Sequence, residues 1–303
     1  MTTHNDMVFQ LGGVPVGQLP VTLPYNPLNE NQYGNYYFVG KGGDDGQDGK
    51  SWDNRFLTIE QAVTTSNADI DWTTTPWGPR NVIVIGPGTF AENLTSLPYG
   101  AVMVGLGQDL RDAQVGTKIK PSTGSPVVVT SAVNTEFYNL GFETGDGETG
   151  SYAFKAGILN NCYFENCFFT GPAETATIGA CLYTNDSTKT TFRRCWFANG
   201  NHGVSLNYAD GGDGINYLLM DDCVISGCDA VGIYVSTNLV GPHSLVKNTS
   251  IFGGGQTLAI GVDDNSGILE LHRVDITATD PVDECRAANG CYGNGSLLDG
   301  DGA

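Results

Sequence analysis

Apolar and polar positions alternate in a fixed six-residue phrase that recurs down the middle of the chain. The copies are Phe137-Tyr-Asn-Leu-Gly-Phe142, Phe164-Glu-Asn-Cys-Phe-Phe169, Phe192-Arg-Arg-Cys-Trp-Phe197, Met220-Asp-Asp-Cys-Val-Ile225, Val246-Lys-Asn-Thr-Ser-Ile251 and Leu271-His-Arg-Val-Asp-Ile276. Their first residues lie 27, 28, 28, 26 and 25 positions apart. A near-constant period in the range of roughly 20 to 50 residues marks a repeat architecture. The first, fourth and sixth positions are apolar, Thr249 excepted. Such segments, short and rich in aromatic and β-branched residues, predict strands with a bend between them rather than helices.

The expected fold is all-β: a single-stranded, right-handed parallel β-helix with a short N-terminal capping helix and an extended N-terminal arm. Each strand pairs with its counterpart one rung away, about 4.8 Å distant, so equivalent side chains stack in ladders. Three ladders face inward: Phe137, Phe164, Phe192, Met220, Val246, Leu271; then Leu140, Cys167, Cys195, Cys223, Thr249, Val274; then Phe142, Phe169, Phe197, Ile225, Ile251, Ile276. The third position reads Asn139, Asn166, Arg194, Asp222, Asn248, Arg273. Asn tolerates the left-handed conformation of a tight corner, and the three departures predict a broken amide ladder. The second position reads Tyr138, Glu165, Arg193, Asp221, Lys247, His272. Its sign alternates from Glu165 to Lys247, as paired strands favour.

A further inward strand follows each phrase, at Gly203 to Leu206, Gly232 to Val235 and Ala259 to Val262, with matching strands near Ala153 to Lys155 and Cys181 to Tyr183. Gly145 to Ser151 and Gly171 to Ile178 are expected to protrude as loops. Upstream, Tyr36 to Val39 reads as a strand, and Thr58-Ile-Glu-Gln61 as a capping box opening a helix through Ala62 and Val63. Asn81 to Phe90 and Ala101 to Leu106 read as the first rungs. The expected division is an arm over residues 1–34, a strand-and-helix cap over 35–80, a shaft over 81–280 and a tail over 281–303.

The arm, Met7 to Val16 and Leu19 to Pro27, is apolar and rich in Pro and Gly, without a helical period. It reads either as a disordered leader or as an extended segment lying on a partner through Val8, Phe9, Leu11, Val14, Val16, Leu19 and Leu23.

Composition narrows the function. A net charge of −19 argues against nucleic acid and anionic membrane surfaces. No apolar run reaches membrane-spanning length, so membrane insertion is not expected. Met1 to Gln10 lacks the basic start and apolar core of a signal peptide. Cys167, Cys195 and Cys223 serve as small core fillers, a usage that fits synthesis in a reducing cytoplasm. Cys285 and Cys291, in a polar stretch, are the one candidate bridge.

The region from Tyr37-Phe-Val39 through Asp44 to Gly49, Ser51-Trp52, Leu57 to Ala62, Val82 to Glu92 and Val102 to Gly107 resembles the pectate-lyase-like superfamily of parallel β-helices. That superfamily hosts lyases, esterases, hydrolases and non-catalytic virion proteins, so the resemblance implies fold rather than activity. Joined to the arm Val8 to Val16, it resembles bacteriophage virion proteins of the head-decoration, fibre or spike kind.

No catalytic set is expected. Polygalacturonases of this superfamily use an Asp pair followed by Gly-His-Gly. Here His202-Gly203 precedes Asp221-Asp222, and the other motifs are missing. Gln108-Asp109 alone does not make up the set used by pectin methylesterases. Asp44, Asp45 and Asp48 read as a solvated turn in preference to a Ca²⁺ loop, and Asp263-Asp264 as a turn. No metal site or cofactor is expected.

The fifth position faces outward, and Phe168, Trp196 and Val224 form an apolar stripe there. It is read first as a subunit interface, against cover by the chain's own loops or a sugar-stacking platform. The resemblance implies a homotrimer. The expected function is a virion-surface structural protein, a capsid decoration or fibre subunit held to the major capsid or another virion protein by its arm. This rests on the chain's shortness and its want of a catalytic groove. The alternatives are a tail-spike type protein that binds or degrades host surface glycans, and a bacterial surface adhesin.

Overall fold

The computed structural model describes residues 33–70, 80–107, 116–146, 150–172, 179–207, 215–236, 244–253, 258–283, 285 and 287–300. The seven arm residues from Val8 to Leu23, and Gln108-Asp109, lie outside these.

The phrases stack in the expected register. Phe137, Phe164, Phe192, Met220, Val246 and Leu271 are successive partners in one parallel sheet. Phe142, Phe169, Phe197, Ile225, Ile251 and Ile276 are partners in a second run of strands. The intervening fourth-position residues are all buried. A third, eight-stranded sheet closes the coil. It contains Tyr152–Asn160, Ala180–Thr188, His202–Leu206, Val231–Val235 and Ile260–Asp264. The chain is a right-handed parallel β-helix.

Stacked phenylalanines fill the middle of the shaft. Phe164 lies between Phe137 and Phe192, with centroids 4.5 and 4.7 Å away and rings within 12° of parallel. Phe154 from the third sheet meets Phe164 edge-on at 5.3 Å, so the two favoured aromatic geometries are used along and across the shaft.

The corner is set by the backbone. All six third-position residues have φ between 50° and 55°, Arg194 and Arg273 included. Asn166 Nδ2 donates to Asn139 Oδ1 at 2.9 Å. The amide run stops at Arg194, whose guanidinium pairs with Glu165.

The helix α1, Ile59–Asp69, is longer than the sequence suggested and buries Ile59, Ala62 and Val63 in the shaft's core. Only half of the capping box forms. Thr58 Oγ1 accepts from Gln61 N at 3.2 Å, while the Gln61 side chain turns to Thr65. Asp45 takes the other role, accepting from Thr58 N at 2.9 Å. The Glu92 carboxylate accepts from Ile59 N and Glu60 N at 3.0 and 2.9 Å, placing negative charge at the positive end of the helix dipole.

The stretch after residue 280 continues the shaft instead of leaving it as a tail. Asp280–Asp283 joins the third sheet. Ala287–Gly293 extends the other two and folds back antiparallel on Ser296–Gly300. The turn is Asn294-Gly295, both at positive φ, the preference of a type I′ hairpin. No disulfide joins Cys285 to Cys291. Both are buried thiols, because the last rung draws them into the core.

Phe164→Ala removes the middle ring of a fully buried stack. It is expected to cost about 3–5 kcal/mol, read as a lowered midpoint in chemical denaturation of the whole chain.

Candidate functional site

The three outer faces of the shaft carry different chemistry. On the first sheet one pair of second-position charges, Asp221 and Lys247, closes as the register demands. Lys247 Nζ lies 3.3 Å from Asp221 Oδ2, and Asn248 Nδ2 donates to Asp221 Oδ1 at 2.9 Å. Glu165 is closed from above by the corner Arg194 rather than by its register partner Arg193. Tyr163 donates to Glu165 Oε2 at 2.8 Å, and Tyr138 to Glu136 Oε2 at 2.8 Å. Glu136 also pairs with Arg80. Burial, then the Glu165 bond, pushes the Tyr163 phenol up to about 12. These carboxylates are held by cations and phenols, which is how structural charges behave.

Sequence-adjacent candidates are not brought together. His202 opens a strand of the third sheet, whereas Asp221 lies in the first. Asp222 is a corner residue at φ 55°. Asp263 and Asp264 end a strand rather than forming a turn. Asp264 is fully buried, accepting from Leu269 N at 2.7 Å. Asp44 and Asp48 bond backbone amides two residues on. No cluster of metal-ligating side chains occurs among the described residues.

On the second face, Phe168, Trp196 and Val224 are consecutive partners. Phe168 and Trp196 meet edge-to-face at 5.5 Å, and Trp196 Nε1 donates to Ser226 Oγ at 2.7 Å. Each of the three is half-buried.

The third face holds a groove of about 240 Å³. Two outward rows form it. One runs Lys155, Tyr183, Ser205, Tyr234, Asp263, and the other Tyr152, Ala180, His202, Val231. Large side chains meet along two diagonals. Tyr152 and Tyr183 are 4.9 Å apart, and His202 stacks on Tyr234 at 5.0 Å and 24°. Between these walls lie Ala180 and Ser205, 1% and 4% exposed although they face outward. The groove exists because small residues separate two pairs of aromatic ones. Gly179, Asn201 and Asn207 complete the lining, and Asn207 Nδ2 donates to Ser205 Oγ at 2.7 Å. Lys155 Nζ sits beyond the first wall, 4.8 Å from the Tyr152 centroid and 5.1 Å from that of Tyr183.

Two aromatic walls over a floor of hydroxyl and amide groups suit a ligand with apolar ring faces and polar edges. The described lining holds no carboxylate, and glycosidic chemistry uses a pair of them. Sequence reasoning missed this site. Its signal was the outward ladder of the third sheet, in which Tyr183 and Tyr234 flank Ser205.

No known protein family matches the chain, and no curated protein matches it in sequence. Among solved structures, pectin methylesterase from Aspergillus niger in deglycosylated form superposes with a TM-score of 0.53 at 13% identity. The match covers 88% of this chain and 89% of that one. Pectin methylesterase PemA from Erwinia chrysanthemi gives 0.48 at 14%, covering 89% and 92%. The Dettilon tailspike protein gives 0.41 at 14%, covering 78% of this chain and 50% of that one. The first of these agrees with the β-helix fold read from the strand pairing.

Burial depresses the His202 imidazole below the ordinary histidine value of 6.5, so it is neutral at pH 7. An NMR titration is expected to place its midpoint below that value. Tyr234→Ala, which uncovers the ring, is expected to move it back up.

Proposed function

We propose that the chain is the glycan-binding shaft of a virion spike- or fibre-type protein. The carrying observation is the two-walled aromatic groove on the third sheet. Sugars present flat C–H faces to π systems and hydroxyls to amides, and both complements lie within one groove. The rigid shaft holds the walls at a fixed separation, which lowers the ordering cost of binding. The head-decoration role expected from the sequence leaned on the chain's shortness and its want of a catalytic groove; the groove on the third face supports binding instead, which favours the spike- or fibre-type alternative.

The half-buried stripe supports a second element of this reading. Phe168, Trp196 and Val224 form a continuous apolar strip on a different face from the groove. Self-association there, as in the expected trimer, leaves the groove open in every copy and multiplies a weak sugar contact by avidity. Attachment to the virion is assigned to residues 1–34.

Tyr183→Ala and Tyr234→Ala are each expected to weaken binding to purified host surface polysaccharide by about tenfold or more. Surface plasmon resonance measures this, with unchanged thermal melting as the control for folding. Unaltered affinity in both variants overturns the groove assignment. Trp196→Asp is expected to shift the sedimenting species from oligomer to monomer. A wild-type chain that already sediments as a monomer removes the stripe from the proposal.

A further inference from the structure

Within the arm, the segment Leu19 to Leu28 reads Leu-Pro-Val-Thr-Leu-Pro-Tyr-Asn-Pro-Leu. It carries three prolines and no charge. Proline fixes φ at about −65° and has no N–H to donate. Pro20, Pro24 and Pro27 therefore interrupt the row of donors that a strand needs, and the segment is unsuited to extending a sheet edge. The conformation that costs such a sequence least is the polyproline II helix, with three residues per turn and free backbone carbonyls. At that period Val21, Pro24 and Pro27 fall on one edge, and that edge is apolar throughout.

A polyproline II helix is bound by grooves lined with aromatic side chains, which receive its apolar edge while polar groups meet its carbonyls. The groove on the third sheet is built in this way. Tyr152 with Tyr183 makes one wall, and His202 with Tyr234 makes the other. Ala180 and Ser205 keep the floor low between them. Asn201 and Asn207 add amide groups to the lining. The stripe of Phe168, Trp196 and Val224 differs, because its members follow one another in single file along one ladder. It offers a surface to lie on, whereas the groove offers two walls to lie between.

Charge and reach allow the meeting. The chain as a whole carries −19, so an acidic segment would be repelled, but this one is neutral. Tyr33 opens the first strand of the shaft. Pro20 and Pro24 stand thirteen and nine residues before it, a reach of about 43 and about 30 Å when extended. The rung of Glu136–Tyr138, to which Tyr152 belongs, lies three strand pairings beyond Tyr33–Val39. That is about 14 Å along the axis, which leaves chain enough to pass round the shaft.

We propose that Leu19 to Leu28 seats in the groove of its own chain as a polyproline II helix, with Val21 and Pro24 turned to the aromatic walls, and so regulates access to it. This assignment rests on the glycan-binding reading and adds the regulation of the same site. Arm and sugar compete for the same two walls, so each lowers the apparent affinity of the other. Drawing the arm onto the virion surface vacates the groove. A free subunit is then the weaker glycan binder and an attached one the stronger, which directs host binding to assembled particles.

The test uses the full chain. The eight cysteines are buried, so a nitroxide attached through Asn26→Cys labels the arm alone. In NMR spectra the label is expected to broaden the His202 ring signals, and chemical reduction of the nitroxide to restore them. Pro20→Gly combined with Pro24→Gly is expected to remove the broadening, because glycine raises the entropy lost on ordering the segment. The same pair of changes is expected to tighten binding of purified host surface polysaccharide about threefold or more, the factor for a groove that the arm fills about two-thirds of the time. Sharp His202 signals in the labelled chain, or broadening that the glycine pair leaves unchanged, overturn the arm's seat and leave the glycan reading standing. Equal polysaccharide affinity with and without the glycine pair overturns the regulation. If polysaccharide binds neither form while the label still broadens His202, the glycan reading falls and the arm's seat stands.

Discussion

The structure depends on one constraint, the pairing of each strand with an equivalent strand one rung away. Parallel pairing at about 4.8 Å brings like positions into contact, so every choice at one position is tested against its neighbours above and below. Phenylalanine satisfies this inside, where parallel rings stack at 4.5 to 5.2 Å. Alternating charge satisfies it outside. The corner satisfies it by geometry alone, since a left-handed residue is needed on each rung whatever its side chain. Arg194 and Arg273 show this. Their φ values of 51° and 55° match those of Asn, and the strain of a non-glycine left-handed residue is imposed by the pairing on either side.

Much of the fold was legible because this constraint acts on sequence directly. The period, the three inward ladders and the corner could be read from the six phrases, since each phrase holds its bend at a fixed offset. What lay between the phrases was harder. The third sheet is reached through loops of unequal length, so its strands do not align by counting. Its inward residues, such as Leu182, Val204 and Ile233, were still visible as apolar segments. Its outward residues were not, because the ladder Lys155, Tyr183, Ser205, Tyr234, Asp263 keeps no constant residue type from rung to rung. The groove is a difference between rungs, and a search for sameness passes over it. The last rung was missed for a related reason. Ala287 to Gly293 carries little apolar bulk, and its inclusion is fixed by strand pairing and by the Asn294-Gly295 turn.

Neighbour choice within a ladder was also beyond the sequence. Alternating signs led to the expectation that Arg193 closes on Glu165. In the structure Arg193 bonds Tyr163 and feels Glu165 at longer range, and Arg194 reaches Glu165 from the corner. The corner turns the chain sharply enough that its side chain points back along the ladder, and rung-by-rung counting ignores that. The same effect places Asp45, twelve residues and more from the helix start, on the Thr58 cap.

The three faces also explain why one repeat can serve several purposes. The inward positions are fixed by packing, where a lost methylene is felt at once. The outward positions are tied only to their neighbours on the same face, so each face can vary independently. One therefore carries a neutralised charge ladder, one an apolar strip and one a groove. Glu136, Glu165 and Asp221 are each engaged by a cation, and the groove lies on another sheet. The groove needs only two aromatic diagonals and a gap of small residues, which follow from placing Ala180 and Ser205 where bulk would close the floor. A bulky residue at Ser205 would join the walls into one aromatic surface, leaving a platform in place of a groove. The function proposed for this chain therefore turns on the smallest side chains of its third face as much as on the largest.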